Sequence, residues 1–227
     1  MKAALGLKAH SGWAALVVLG DSGDELHVID RRRLELVTEG DEEWARQPYH
    51  AAEELEPAAA RDVVNRGIAA ARQNAAREMR TAVTRTREAK HEIVACAVLV
   101  GDPMPDWSVE EILSVHFRMH KAEGGLFQDV LGAAAKSCGI TLAPVPVKQL
   151  DAKARAAFGP RTSEILARMA VLGKSAGPPW GKDQKEAALA AAIALRDPVN
   201  EHARAHSLSR HPKGVRLMGK GRARRGA

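Results

Sequence analysis

The spacing of apolar and polar positions changes several times along the chain. Lys2–Leu7 alternates weakly, Ala9-His10-Ser11-Gly12 reads as a turn, and Trp13–Leu19 is a run of apolar residues. Asp21-Ser22-Gly23-Asp24 is a strong turn signal. Leu26–Val37 follows, with Val28, Ile29, Leu34 and Leu36 as its apolar members. Short apolar runs bounded by turn clusters predict a three-strand antiparallel meander. Residues 39–57 are acidic and irregular, with Trp44 and Tyr49 as anchors.

The pattern then becomes helical. Pro57 suits a first-turn position, and an alanine-rich stretch carrying Val63, Ile68, Met79 and Val83 predicts one long helix to about Lys90. His91–Val100 is almost continuously apolar from Ile93 onward. That character predicts a strand buried on both faces, as in a parallel sheet. Gly101-Asp102-Pro103 ends it. Ser108 with Glu111 forms an S-x-x-E capping box for a helix running to Ser137, with a kink expected at Gly124-Gly125. Ile140–Val147 reads as a short strand. After Leu150 the chain predicts a small helix, a helix over Thr162–Leu172, a loop at Gly177-Pro178-Pro179, and an alanine-rich helix from about Lys182 to Leu195.

The order β-β-β-α-β-α-β-α-α predicts an α/β fold. A meander followed by right-handed βαβ crossovers gives a mixed five-stranded sheet with helices on both faces. That is the ribonuclease-H-like arrangement.

Charge changes the picture at one end. The chain of 227 residues carries +6, yet no acidic residue follows Glu201. Arg204, Arg210, Lys213, Arg216, Lys220, Arg222, Arg224 and Arg225 contribute +8, which leaves residues 1–203 at −2. The expectation is a ribonuclease-H-like domain over 1–203 and a basic, disordered tail over 204–227, because the tail has no apolar period with which to bury surface. Within it, Arg216, Lys220, Arg222, Arg224 and Arg225 are the residues expected to contact DNA or RNA phosphates. No apolar stretch reaches the length of a membrane span. Cys96 and Cys138 have neither disulfide nor metal-type spacing, so a cytoplasmic protein with two reduced thiols is expected. The sequence does not specify an oligomeric state.

Three segments carry a family resemblance. Leu5-Gly6-Leu7-Lys8-Ala9-His10-Ser11-Gly12 is similar to the first strand and turn of RuvC-type Holliday-junction resolvases. Val145-Pro146-Val147-Lys148-Gln149 resembles the segment before their last helices, and Lys182–Ala190 resembles their closing helix. The resemblance implies a cleft in which several carboxylates hold two Mg²⁺ ions for phosphodiester cleavage. The position implied for the first-strand Asp is occupied by Lys8. Asp102 would be the second carboxylate, and Asp183 or Glu186 the third. An ammonium among so few carboxylates makes a poor Mg²⁺ site, so Mg²⁺ is not expected. The implied function is a nucleic-acid-binding relative without the metal-dependent nuclease site, with Lys8, Lys148 and Lys185 lining the cleft.

Other constellations keep an alternative open, an enzyme of unrecognised chemistry with a Lys/His pocket. His116, His120 and Glu123 fall at i, i+4 and i+7 on one helix face. Such a face can serve a metal, with His10 or His50 arriving through the fold. The spacing alone assigns no metal ligand set and no cofactor. Lys8, His10 and Ser11 beside Gly12 make a turn suited to a phosphate. Trp180, Lys182, Asp183 and Lys185 begin the last helix, where an aromatic and two lysines suit a phosphate or a stacked base, unless Trp180 packs on the core.

Overall fold

The computed structural model describes residues 1–196 apart from Asp24, Glu39 and Asp41, with the side chains of Glu42 and Glu43 also excluded. Five strands form one sheet: β1 (Lys2–His10), β2 (Trp13–Asp21), β3 (Leu26–Glu35), β4 (Glu92–Val100) and β5 (Leu142–Pro146). Their order is β3-β2-β1-β4-β5. β1 pairs antiparallel with β2, and β2 with β3; β4 runs parallel to both β1 and β5. This mixed sheet, a meander extended by crossovers, has the ribonuclease-H-like order expected from the sequence.

Strand alternation sorts the core into two layers. Ala3, Leu5 and Leu7 of β1 and Leu16 and Val18 of β2 pack on one face. There they meet α2 (Pro57–Glu88) and α4 (His116–Ser137). Ala4 of β1, Val17 and Leu19 of β2, and Ala95, Ala97 and Leu99 of β4 pack on the other face. Their cover comes from α5 (Leu150–Phe158), α6 (Thr162–Ala176) and α7 (Lys182–Arg196). β4 is buried on both faces, which is why its sequence lacks alternation. A third cluster, with Tyr49, Val64, Ile112 and Met119, lies under the start of α4.

α7 lies close to the sheet because both surfaces are made of small residues. A Cβ built on Gly6 would stand 1.9 Å from the Ala187 carbonyl oxygen and 3.1 Å from Ala191 Cβ. Gly6 is therefore the contact that sets the approach of α7 to β1.

Several boundaries differ from the sequence reading. β1 continues to His10, and the turn is only Ser11-Gly12, with Gly12 at φ +83°. The expected helix from Ser108 to Ser137 is two helices, α3 (Val109–Leu113) and α4. The break is at Ser114–Val115, not at Gly124-Gly125. Val115 is extended, and the Glu111 carbonyl accepts hydrogen bonds from the Ser114 hydroxyl at 2.9 Å and the Arg118 guanidinium at 2.8 Å. Those side chains satisfy a carbonyl that the helix leaves open. Gly124 and Gly125 sit inside α4 with nothing close to where a Cβ would be. The irregular 39–57 segment contains α1 (Glu42–Arg46) and a 3-10 turn, His50–Ala52. β5 is shorter than expected, and Val147–Gln149 turns away as a 3-10 helix. Pro144 and Pro146 suit an edge strand, where a missing N–H leaves no ladder bond unmade. Residues 204–227, including Arg216, Lys220, Arg222, Arg224 and Arg225, lie outside the described residues.

Candidate functional site

Gly6 and Lys8 point to the α7 face of β1, two residues apart. Because α7 presses on Gly6, its first turn stands directly over Lys8. Asp183 and Glu186 are three residues apart and share the face that meets the strand. Lys8 Nζ lies 3.0 Å from Asp183 Oδ1 and also donates to Glu186 Oε2. His10 Nε2 lies 3.1 Å from Asp183 Oδ2. Lys182 Nζ approaches the other Glu186 oxygen at 3.6 Å from a largely exposed position.

The Lys8 side chain is only 17% exposed. Burial by itself would lower its pKa. The hydrogen bonds to Glu186 and Asp183, with their charges, outweigh burial and hold it above the ordinary lysine value. Burial would raise the Asp183 pKa, but the Lys8 hydrogen bond and the charges of His10 and Lys8 hold it below the ordinary carboxylate value. The centre is thus an ammonium seated between two carboxylates. A divalent ion would have to displace Lys8 to reach both of them, and the donor set does not fit Mg²⁺ chemistry.

The remaining sequence candidates fall elsewhere. Asp102, just beyond β4, pairs with Lys148 Nζ at 2.6 Å on an exposed surface. Lys148 lowers the Asp102 pKa by its hydrogen bond and its charge. At that exposure the pair is weak and leaves both side chains open to solvent. Ser11 is exposed at the hairpin tip, and Lys185 is exposed on α7. The Gly12 carbonyl accepts the Leu36 and Val37 N–H groups. His10 stacks on Trp13, with ring centroids 4.3 Å apart, and Arg33 covers Trp13 at 4.2 Å. Trp180 is a core anchor: its indole N–H donates to the Met169 carbonyl at 2.7 Å, and its ring fills the space beside Gly173.

The histidines of α4 lie on the opposite face of the sheet from α7, so one pocket holding Lys8, His10, His116, His120 and Glu123 does not exist. Two layers of packed side chains separate them. His116 and His120 instead meet His50 from the 3-10 turn. Their ring centroids lie 4.6–5.1 Å apart. Glu123, read from sequence as a partner of His116 and His120, is buried and bonds to His50: Oε2 lies 2.7 Å from Nδ1, and Oε1 accepts the His50 backbone N–H at 3.2 Å. His50 was in sight only as a residue the fold might bring. It sits in an aperiodic segment 66 positions before His116, and nothing local marks that contact.

No family model matches the chain, and no curated protein matches it. Among solved structures, it is similar to Thermus thermophilus RuvC in complex with a Holliday junction substrate, with TM-score 0.45 and 12% identity over 92% of this chain and 97% of that one. A second Thermus thermophilus RuvC structure gives TM-score 0.44 and 13% identity over 90% and 96%. The fold assignment rests on the strand order and register described above.

Proposed function

We propose that this chain is a ribonuclease-H-like nucleic-acid-binding protein whose metal-dependent nuclease centre is replaced by an internal ion pair. The observation that carries the reading is the Lys8 ammonium held by both Asp183 and Glu186. Two-metal cleavage needs convergent carboxylates free to take ions. Here the two that converge already have a cation, supplied by the chain itself. Asp102 is bonded to Lys148 rather than joined to that centre.

Binding is assigned to the basic segment after Glu201, because it carries eight positive charges while residues 1–203 carry a net −2. Lys8 and Lys148 are in ion pairs, which leaves Lys185 as the cleft candidate without a side-chain partner among the described residues. Eight positive charges without an acidic residue suit a phosphate backbone. Contacts of that kind are insensitive to sequence.

Fluorescence anisotropy on a labelled duplex, repeated over a range of salt, tests this. Each phosphate neutralised contributes a slope of about −0.9 in log K against log salt, so five engaged residues give about −4 to −5. The full-length variant Arg222→Gln/Arg224→Gln/Arg225→Gln should flatten that slope by about 2.7 on the same rule. An unchanged slope would move binding into the fold. No binding below about 100 μM at low salt, weaker than ordinary non-specific association, would remove nucleic acid as the partner.

A further inference from the structure

The three histidines over α4 belong to neither the Lys8 centre nor the basic segment. One ring nitrogen from each of His50, His116 and His120 lies within 4.8 Å of the others. The Nε2 atoms of His116 and His120 are 3.1 Å apart. Two nitrogens bound to one tetrahedral zinc at about 2.0–2.1 Å stand about 3.3–3.4 Å apart. The α4 pair is therefore already at ligand spacing. Bringing His50 into the same shell needs a shift of at most about 1.5 Å by that geometry.

The opposite ring edges point the same way. His50 Nδ1 faces Glu123 Oε2 at 2.7 Å, and His116 Nδ1 faces Glu53 Oε1 at 3.5 Å. At His50 the carboxylate accepts a hydrogen bond from Nδ1–H, which fixes the ring's tautomer and orientation and leaves the Nε2 lone pair for a ligand. Glu123 is 4% exposed. A carboxylate so buried is costly unless it is bonded, and its two oxygens are committed to the His50 ring and the His50 backbone. Arg118, between the two histidines on α4, is directed away: it donates to the Glu111 carbonyl and covers Trp107. His116 and His120 are exposed, so a fourth position would open to solvent.

We propose that His50, His116 and His120 bind a divalent transition metal, Zn²⁺ in first place, with Glu123 as the positioning residue behind His50. Three imidazoles select such an ion over Mg²⁺ or Ca²⁺, which prefer oxygen donors. The open fourth position suits a water or a ligand, as at zinc sites with three protein donors. This site is independent of the nucleic-acid reading.

The test is a Co²⁺ titration of metal-free, full-length protein, followed by visible absorption and then by Zn²⁺ competition. His202, His206 and His211 are changed to Ala in every sample, so that histidines outside the described residues cannot supply the signal. One equivalent should give a tetrahedral or five-coordinate spectrum that Zn²⁺ displaces. His120→Ala, at an exposed position, and His50→Ala should each weaken binding at least 100-fold. Glu123→Gln should weaken it about 10–100-fold while keeping the spectrum. Circular dichroism separates lost binding from lost folding, and His120→Ala is the variant least exposed to that ambiguity. Absence of a spectrum at 1:1 and at excess Co²⁺ overturns the site. Full retention in His50→Ala also overturns it, because it would leave only a surface pair on one helix.

Discussion

Lys8→Met removes one charge from a centre that holds three. Asp183 and Glu186, 27% and 19% exposed, would then lose their shared cation and keep only His10 at 3.1 Å from Asp183 and the exposed Lys182 at 3.6 Å from Glu186. Exposed ion pairs contribute about 0.2–1 kcal/mol. Removing one partner of a fully buried pair costs about 3–5 kcal/mol. The intermediate burial here gives a loss of about 2–3 kcal/mol, which corresponds to about 4–12 °C in Tm for a domain of this size. The pH profile supplies the sign. Asp183 is depressed in the fold, so its contribution is present above the unfolded value of about 3.9 and lost as pH falls through the folded value. Lys8 is raised, so its contribution is present below about 10.4 and lost as pH rises through the folded value. The gap between wild type and Lys8→Met should therefore be flat from about pH 5 to pH 9 and narrow on either side. Adding Asp183→Asn and Glu186→Gln to Lys8→Met should recover part of the loss, since the uncompensated charges are then gone. Chemical denaturation across pH measures all of this. A neutral Lys8→Met, or a gap that widens in acid, would refute the closed ion-pair centre.

Other outcomes follow from the same structure. Lys8→Asp should be less stable than Lys8→Met in chelator and should gain about 1.4 kcal/mol at tenfold Kd of Mn²⁺, whereas wild type should gain nothing at that centre; equal metal responses in a thermal-shift assay would contradict it. Gly6→Ala should destabilise by about 3 kcal/mol or more, at or above the top of the overpacking range, because its Cβ would meet the Ala187 carbonyl; a loss under about 1 kcal/mol would mean that α7 is free to shift. Cys96, fully buried with its pKa pushed up to about 12, should resist thiol reagents at pH 8 in the native state, while Cys138 reacts first; equal labelling by mass spectrometry would contradict that burial.

The element order was legible because the chain changes period where the structure changes type. Ile93–Val100 reads as doubly buried because β4 has helices on both faces. Gly6 carried a signal that the sequence reading did not use: a glycine in a strand marks a close approach, and Lys8 is the next residue on that face. The break at Val115 left no mark of its own. It depends on Ser114 and Arg118 capping one carbonyl, and no Gly or Pro signals it, whereas Gly124-Gly125 looked like a hinge and lies in an unbroken helix. The histidine cluster was half legible. The spacing of His116, His120 and Glu123 on α4 is a local property, but the arrival of His50, and the buried role of Glu123 behind it, depend on how an aperiodic segment folds over α2 and α4.

The central claim is that this fold holds a cation of its own where a nuclease would hold metal ions. Incubation of the full-length protein with labelled branched DNA, duplex DNA and RNA–DNA hybrids, in Mg²⁺ and in Mn²⁺, tests it most directly. The account predicts binding without strand scission at either metal. Metal-dependent cleavage that disappears in Asp183→Asn or Asp102→Ala would contradict it.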